Sequence, residues 1–257
     1  MRFLLYNLRY CAGTARNFHF PVPGKGYLKR TANILKQVTQ FIGSQAPDIV
    51  GLVEVDSGSY RSRQLNQAEE IARALGHFHA YQSKYPSHSR LHLLPLAGKQ
   101  GNAFLTREEI QAQQFHYFER GVKRLVIELE LKNLVIFLVH LSLRRRTRQA
   151  QLQALLPLVQ AVDKPRIVAG DFNSFGGAEE IQPLLDAAGL RNAAGKTVLT
   201  HPSWAPRRQL DYILHSPEIA VTRFYVPQVL FSDHLPLVCD FTVPATSAAR
   251  LESRRAT

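Results

Sequence analysis

Two polar segments in the second half of the chain carry side chains that can move protons. In the first, Gly-Asp-Phe-Asn, the side chains of Asp171 and Asn173 point the same way if the backbone stays extended. A carboxylate can take a proton from water, and an amide can donate a hydrogen bond to an oxyanion. An Asx-rich turn that closes a strand uses the same residue types. On this segment alone, the catalytic and the turn interpretations both stay open.

The second segment is Ser-Asp-His, which contains Asp233 and His234 and precedes the last apolar run. Adjacent side chains cannot easily pair in an extended chain, so each is expected to meet a partner from elsewhere. The candidate partner of His234 is Asp211, because a carboxylate within an apolar run is costly to bury unless it is paired. Such a carboxylate would fix the tautomer of the imidazole and raise its basicity. The alternative is an Asp211 that faces water at a sheet edge.

Oxygen ligands end two apolar runs in the first half of the chain, at Asn7 and Glu54. Mg²⁺ commonly binds one or two carboxylates and takes its remaining ligands from water and substrate phosphate. The ten His residues are scattered and form no cluster at zinc-binding spacing. Any metal is therefore expected to be a hard ion, Mg²⁺ or else Mn²⁺. A strand-end cap is the alternative role for Asn7.

His140 and Asn102 lie at two further points where an apolar run meets polar residues. For each of them, a satisfied structural residue is the alternative to a functional one. All nine polar residues named so far lie at the ends of predicted strands or in adjoining segments. Such ends can converge on one rim of a sheet protein, where functional sites are commonly built.

The elements that must position these residues alternate between short apolar runs and helical patterns. Apolar residues spaced at a period near 3.6 predict helices at 28–42, 65–75, 152–162 and 179–188. Pro157 lies inside the third of these and predicts a kink or a shortened first half. Many strands with only four helices favour sheets packed face to face, with the helices outside. The apolar runs predict strands at 3–6, 49–53, 78–82, 102–106, 124–131, 134–139, 167–169, 210–214, 220–226 and 237–243.

Length and composition are those of an ordinary globular domain. The chain has 257 residues, 45% hydrophobic and 20% charged, which excludes disorder, collagen and coiled coil as the main architecture. No linker interrupts residues 1–243, which we interpret as one domain, and residues 244–257 are expected to form a disordered tail. The longest apolar runs fall short of the ~20 residues of a membrane span. Without a signal-peptide pattern and with only two cysteines, a cytoplasmic protein is expected.

The chain is strongly basic, because 32 Lys and Arg against 20 Asp and Glu give a net charge of +12. Removing residues 244–257, which hold three Arg and one Glu, leaves +10, so the excess belongs to the folded body. A basic body favours polyanionic partners such as nucleic acid, anionic lipid or phosphorylated small molecules. Solubility alone is the alternative explanation of the charge.

The polar segments together resemble the endonuclease/exonuclease/phosphatase superfamily, which includes deoxyribonucleases, AP endonucleases, neutral sphingomyelinases and inositol polyphosphate phosphatases. The resemblance spans residues 1–243 and implies a catalytic domain. It implies a four-layer α/β sandwich, in which two facing mixed β-sheets are flanked by helices. The segments that carry it are, in chain order, Tyr6-Asn7, Val53-Glu54-Val55, Gly101-Asn102-Ala103, His140-Leu141, Gly170-Asp171-Phe172-Asn173, Asp211-Tyr212-Ile213 and Ser232-Asp233-His234.

The resemblance also implies a divalent metal and hydrolysis of a phosphoester by in-line attack of water. Carried over to this sequence, Glu54 would hold Mg²⁺, helped by Asn7 and Asp233. Asp171 would orient or deprotonate the attacking water, and Asn173 would bind the phosphate.

Four further residues receive roles from the resemblance. His234 would act as general base or phosphate ligand, oriented by Asp211. His140 would stabilise the phosphate or help the leaving group, and Arg124 would reach the phosphate. We also expect Asn102 to contact the substrate.

The sequence departs from the family pattern in two places. Val53 stands where many members have Gln, and Val55-Asp56 follows the Glu where AP endonucleases continue with Thr-Lys, which weakens a repair function. Ser174-Phe175 replaces the Tyr-Arg that inositol phosphatases favour after the Asn. Neither departure excludes the sphingomyelinase branch.

A cluster of arginines follows His140 and opens the third predicted helix. Positive charges at a helix N-terminus oppose the helix dipole. An anion held between the arginines and the helix end would relieve this repulsion. We therefore expect Arg144 and Arg145 to bind substrate phosphates, with a solvated charge run as the alternative. The cluster consists of Arg144, Arg145, Arg146 and Arg148.

The sequence thus predicts a monomeric Mg²⁺-dependent phosphodiesterase without a transmembrane segment, most consistent with a nuclease that acts on DNA or RNA. The alternatives on the same site are a phospholipid phosphodiesterase of the sphingomyelinase type and a small-molecule phosphatase. An anionic membrane surface is the second candidate partner after nucleic acid. A catalytically inactive polyanion-binding module is the alternative from another functional class.

Overall fold

The computed structural model describes residues 1–14, 31–84 and 97–244, which form two six-stranded sheets and four α-helices. The helices are α1 (Ala32–Ser44), α2 (Gln67–Leu75), α3 (Arg145–Gln160) and α4 (Gln182–Ala188). The strands are β1 (Arg2–Asn7), β2 (Ile49–Asp56), β3 (Phe78–Ser83), β4 (Gln100–Thr106), β5 (Ala112–Tyr117), β6 (Leu125–Glu130), β7 (Val135–His140), β8 (Arg166–Asp171), β9 (Arg191–Asn192), β10 (Asp211–His215), β11 (Ala220–Tyr225) and β12 (Leu237–Thr242).

Each sheet is mixed and has a parallel pair of strands at its centre. The first sheet has the order β11-β12-β1-β2-β4-β3, with β1 and β2 parallel. The second has the order β5-β6-β7-β8-β10-β9, with β7 and β8 parallel. The remaining neighbours pair antiparallel. In both sheets, therefore, two adjacent strands end at the same edge.

Three apolar clusters separate four layers of structure. The central cluster lies between the sheets and includes Phe3 and Leu5 of β1 and Leu138 of β7. The alternate residues of β1, Leu4 and Tyr6, point the other way and pack with α1 and α2. A third cluster joins α3 and α4 to the second sheet. Because β1 is buried on both faces, its sequence is a continuous apolar run, and the predicted four-layer sandwich is confirmed.

The strand order collects the polar strand ends at one edge of the sandwich, called the catalytic rim below. Asn7 ends β1, whereas His140 and Asp171 end β7 and β8 and are register partners. Asp211 begins β10 and is the partner of Asp171 in the antiparallel ladder. Asn7 Nδ2 donates a hydrogen bond to Asp171 Oδ2 at 3.0 Å, so the ends of the two sheets meet directly.

Two features of the second sheet and its helices differ from the sequence predictions. The strands β5 and β9 are absent from the predicted set, because both lie in edge positions and β5 begins with three exposed side chains. Helix α3 begins at Arg145, seven residues before its predicted start, and continues through Pro157 to Gln160. The predicted shortening of the first half was therefore wrong, since Pro157 lies near the end of the helix.

Some predictions concern residues outside the described part of the chain. They are residues 28–30 of the first predicted helix, which here begins at Ala32, and residues 245–257 of the predicted tail. Within the described ranges, no helix has both the length and the apolar composition needed to cross a bilayer. Cys11 and Cys239 are both buried and are not joined in a disulfide.

Candidate active site

Gly170 allows the two parallel strands of the second sheet to approach closely where they carry polar residues. Its φ is +148°, and a Cβ added there would lie 1.9 Å from the carbonyl oxygen of Val139. Any side chain would therefore push β7 and β8 apart. The glycine in Gly-Asp-Phe-Asn thus brings Asp171 beside His140.

Asp171 is the centre of the candidate site and is almost fully buried. Its Oδ2 accepts the hydrogen bond from Asn7 and lies 3.3 Å from His140 Nε2 and 3.9 Å from His234 Nε2. Its Oδ1 accepts a hydrogen bond from the backbone N–H of Asn173 at 3.0 Å. Both sheets and two imidazoles therefore converge on one carboxylate, and Asn7 is 164 residues from Asp171 in the sequence.

His234 is bound on its other side by Asp211. The distance from Nδ1 to Asp211 Oδ2 is 2.8 Å, and both side chains are buried. Burial lowers the pKa of His234, but Asp211 and Asp171 raise it more strongly, to about 10. In the metal-free protein this imidazole is therefore protonated at neutral pH and lies between two carboxylates. This is the Asp–His pairing that the sequence predicts for His234.

Glu54 approaches the same nitrogen of His140 as Asp171 does. Its φ is +55°, at a shift of register between β2 and β4, and its N–H donates to Asn102 Oδ1 at 3.3 Å. The carboxylate Oε1 is 3.7 Å from His140 Nε2 and 3.6 Å from Lys123 Nζ. Left-handed backbone in a non-glycine residue is costly and clusters at functional sites. In this protein the left-handed residue is Glu54 itself, at the point where the register between β2 and β4 shifts.

Lys123 is a site residue that the sequence interpretation missed. Its Nζ contacts His140 Nε2 as well as Glu54. Lys123 precedes β6, and nothing in its local pattern distinguishes it from other basic residues. Its neighbour Arg124, expected to reach the phosphate, instead donates from Nη1 to the carbonyl oxygen of Glu119 at 3.3 Å.

The charges at this site set its protonation. Burial raises the pKa of Asp171, but His234 and His140 outweigh it and hold that pKa far below its ordinary value. Burial also raises the pKa of Glu54, and there Lys123 and His140 reverse the direction. The pKa of His140 is lowered by burial and by Lys123. The site therefore presents two ionised carboxylates at neutral pH.

These residues fit a hard divalent cation. Ligand atoms of Asp171, Asp211 and His234 lie within 4.8 Å of one another. Asp211 is already paired with His234, which leaves Asp171 and Glu54 as the available carboxylates, both close to Nε2 of His140. Two ionised carboxylates are hard oxygen donors, which suit Mg²⁺ or Mn²⁺ better than a soft ion. Asn7 turns its amide nitrogen to Asp171, while its Oδ1 accepts a hydrogen bond from the backbone N–H of Arg9 at 3.0 Å.

Two of the other predicted residues lie beside this centre and are held by neighbouring groups. Asn173 has φ of +50°, and its Nδ2 donates to the carbonyl oxygen of Leu141 at 3.0 Å. Asp233, a predicted metal ligand, forms an ion pair with Arg9, with 3.3 Å between Oδ2 and Nε. The Asp233 carboxylate thus lies at the catalytic rim next to His234, where it is already paired with the Arg9 guanidinium.

The arginine cluster divides into two kinds of residue. Arg144, Arg145 and Arg146 are exposed at the beginning of α3. Arg148 is only 1% exposed, and its Nε donates to Glu180 Oε2 at 3.0 Å. Arg148, which the sequence groups with these three, is therefore not available to a substrate anion, because its charge is neutralised by Glu180 inside the protein.

Comparison with known proteins identifies the family. Residues 18–234 match the model of the Endonuclease/Exonuclease/phosphatase family. The chain belongs to this family. Its members are metal-dependent hydrolases that act on phosphoesters, and the superfamily resemblance seen in the sequence is thereby confirmed.

One curated relative and two solved structures show how far the similarity extends. The Escherichia coli (strain K12) protein YbhP is 33% identical over 161 residues, and the match spans 54% of this chain and 62% of the relative's length. The human Nocturnin catalytic domain with bound sulfate is 24% identical, with a TM-score of 0.68, covering 95% of this chain and 94% of that one. A mannosyl-6-phosphatase of Bacteroides thetaiotaomicron is 15% identical, with a TM-score of 0.69, covering 94% and 99%. At these identities the two structures show a shared fold.

Proposed function

We propose that the protein is a Mg²⁺-dependent phosphodiesterase in which Asp171 activates the attacking water. The observation that supports this most strongly is the environment of the Asp171 carboxylate, which Asn7, His140 and His234 surround within 3.9 Å. Hydrolysis of a phosphoester needs a group that orients water and several positive groups around the phosphoryl oxygens. The site has a carboxylate that can orient water, Asp171, and positive groups, His234 and Lys123, within one cluster.

A divalent ion held by Glu54 and Asp171, with Asn7 beside them, would neutralise charge that develops on the phosphoryl oxygens. Protonated His234 donates a hydrogen bond to a phosphoryl oxygen from Nε2, while Asp211 fixes its orientation through Nδ1. Lys123 brings a second positive charge beside Glu54 and Nε2 of His140. These groups are in place before the substrate binds, so little reorganisation accompanies the reaction.

The choice of substrate rests on charge and on similarity. The net charge of +12 and the exposed Arg144 and Arg145 near the catalytic rim favour a polyanionic phosphodiester, such as nucleic acid or an anionic phospholipid. A phosphatase function on a small phosphomonoester is the second candidate, because a mannosyl-6-phosphatase shares the fold. We place the protein in the cytoplasm as a monomer as part of the same proposal.

Hydrolysis of a chromogenic phosphodiester tests the proposal directly. We expect turnover that requires Mg²⁺, stops with a chelator and is lost in Glu54→Gln and His234→Ala. His215→Asn is the matched control. His215 is also buried, but it lies in β10 at the end opposite Asp211 and therefore away from the site. A plasmid-nicking assay and a sugar phosphate measured in parallel separate the candidate substrates. Turnover that survives both site substitutions would refute the assignment of the site.

A further inference from the structure

Exposed apolar side chains are concentrated at the catalytic rim. Over residues 1–14, 31–84 and 97–244, eight large apolar side chains are exposed, and only Phe78 lies at the opposite end of the sandwich, at the beginning of β3. Isolated exposed apolar residues are ordinary, whereas neighbouring ones can form the larger apolar patches that mark binding surfaces. The other seven are on loops near the strand ends that carry the site: Tyr60, Leu65, Val122, Leu143, Phe175, Leu199 and Leu230.

Three of these side chains form what we call the apolar ledge: Val122, Leu143 and Phe175. Their exposed fractions are 58%, 60% and 38%, although each is within three residues of a site residue. Val122 precedes Lys123, and Phe175 follows Asn173 by two residues. The ledge therefore borders the candidate active site on the side of the second sheet.

Helix α3 holds the three loops of the ledge in fixed relative positions. Gln151 Nε2 donates to the carbonyl oxygen of Lys123 at 2.6 Å, and Gln151 Oε1 accepts from Ser142 N at 2.8 Å. Arg148 Nη1 donates to the carbonyl oxygen of Leu143 at 2.9 Å. These bonds tie the Val122 loop to the Leu143 loop through one buried helix face.

The third loop is bound to the same helix through the buried ion pair. Arg148 contacts Glu180, and Glu180 Oε1 accepts from the backbone N–H of Gly176 at 2.6 Å. Phe175 is the residue before Gly176, so its backbone is tied to the helix that also holds Leu143. The ledge is thus a prearranged surface, and little conformational entropy is lost when it binds.

Positive charges surround the ledge. Arg120 and Arg144 are exposed on the same loops, and Arg145 and Arg146 are exposed in the first turn of α3. The Arg208 guanidinium lies 5.2 Å from the centre of the Phe175 ring. The exposed acidic groups on these loops are Glu119 and Glu179. The surface therefore combines apolar side chains with an excess of positive charge.

We propose that the apolar ledge docks on an anionic lipid bilayer and presents the active site to phospholipid headgroups. The apolar side chains would enter the boundary of the hydrocarbon, while the arginines contact anionic headgroups. Two of the three ledge residues are aliphatic and have no π-face on which a nucleic-acid base could stack. The substrate class, a phospholipid phosphodiester, rests on the proposed phosphodiesterase function, whereas the docking does not.

Cosedimentation with vesicles tests the docking without any reaction. The probes are phosphatidylcholine vesicles with and without phosphatidylserine, and the protein is wild type, Val122→Ser/Leu143→Ser or Phe78→Ser. We expect binding that needs phosphatidylserine, weakens with salt and falls about tenfold in the double variant, because two apolar side chains no longer leave water. Phe78→Ser, which removes an equally exposed side chain at the far end, should bind like wild type.

Several outcomes would overturn the proposal. Vesicle binding of wild type that does not depend on phosphatidylserine rules out the ledge as a lipid-docking surface. So does a loss of binding in Phe78→Ser equal to that in the double variant. Absence of vesicle binding, together with weaker binding of a single-stranded oligonucleotide by the double variant, assigns the ledge to nucleic acid. Hydrolysis of a soluble chromogenic diester should be equal in wild type and the double variant. Its absence in wild type would refute the phosphodiesterase function and leave the docking result standing.

Discussion

Asp171 is the residue on which the candidate chemistry depends most directly. We expect Asp171→Asn to lower kcat at least about a hundredfold, because an amide cannot accept the proton of the attacking water. The side chain keeps its size, so the fold should remain, and a circular dichroism spectrum like that of wild type is the check. Steady-state kinetics on a chromogenic phosphodiester measure the loss, and wild-type kcat in the variant would exclude a proton-accepting role.

His234 owes its elevated pKa to its two carboxylate neighbours. We expect Asp211→Asn to lower that pKa from about 10 toward the ordinary value near 6.5, because the closer of the two negative charges is removed. Histidine NMR shifts in metal-free protein, recorded against pH, measure the change. An unchanged titration would show that Asp211 does not set the charge of this imidazole.

The same pair links stability to pH. Because the folded pKa of His234 lies above its unfolded value, its contribution to the free energy of unfolding is complete below about pH 6.5 and is lost as the pH rises toward 10. Urea unfolding of metal-free protein should therefore show stability that falls across this window. In Asp211→Asn, the decrease in the free energy of unfolding that His234 causes should be smaller. Equal slopes of that free energy against pH in the two proteins would contradict the linkage.

At the scale of single residues, the sequence predicts the polar strand ends better than the basic residues. Asp171 and His140 end apolar runs, and two parallel strands bring such ends together. Basic residues carry no comparable pattern. Lys123 enters the site from a loop, and Arg148 turns inward, because partners distant in the sequence, Glu54 and Glu180, determine where each charge lies.

Helix α3 is the element that joins the loops on the second-sheet side of the site. Its residue Arg148 forms a buried ion pair with Glu180, and the two side chains are 2% and 3% exposed. We expect Arg148→Ala to lower the free energy of unfolding by about 3–5 kcal/mol, since Glu180 would be left buried without its partner. Arg146→Ala, an exposed change in the same helix turn, should stay within about 0.5 kcal/mol of wild type.

Urea unfolding at fixed pH measures both variants. A double change of Arg148→Met with Glu180→Leu should recover much of the loss, because no unpaired charge then remains in the interior. A stability of Arg148→Ala close to that of Arg146→Ala would show that the ion pair contributes little. The measurement thus separates the cost of an unpaired charge from the loss of packing.

The elements themselves are predictable from sequence where they are buried on both faces. Strands such as β1 and β8 lie between a helix layer and the opposite sheet, so the residues between their polar ends form an unbroken run without charged side chains. The edge strand β5 alternates less clearly, because its first three side chains face solvent. Helix α3 begins earlier than its apolar period indicates, since polar and charged side chains form its first two turns.

At the scale of the whole molecule, the metal site requires both sheets. Glu54 belongs to the first sheet and Asp171 to the second, so the ligands meet only when the sandwich is assembled. An ion that binds the native state alone stabilises it, by about 2.7 kcal/mol when its concentration is a hundred times the Kd. For a chain of this size, that corresponds to a rise in Tm of about 5–10 °C.

We therefore expect millimolar Mg²⁺ to raise the Tm of wild type and to raise that of Glu54→Gln much less. The Tm of Glu218→Gln should rise as much as that of wild type. Glu218 is exposed just before β11, at the end of the sandwich away from the site, so its removal changes the net charge equally but spares the ligands. Differential scanning calorimetry measures all three without substrate. A shift that is equal in the three proteins would place the ion elsewhere on the molecule, whereas a shift lost only in Glu54→Gln ties metal binding to the junction of the two sheets.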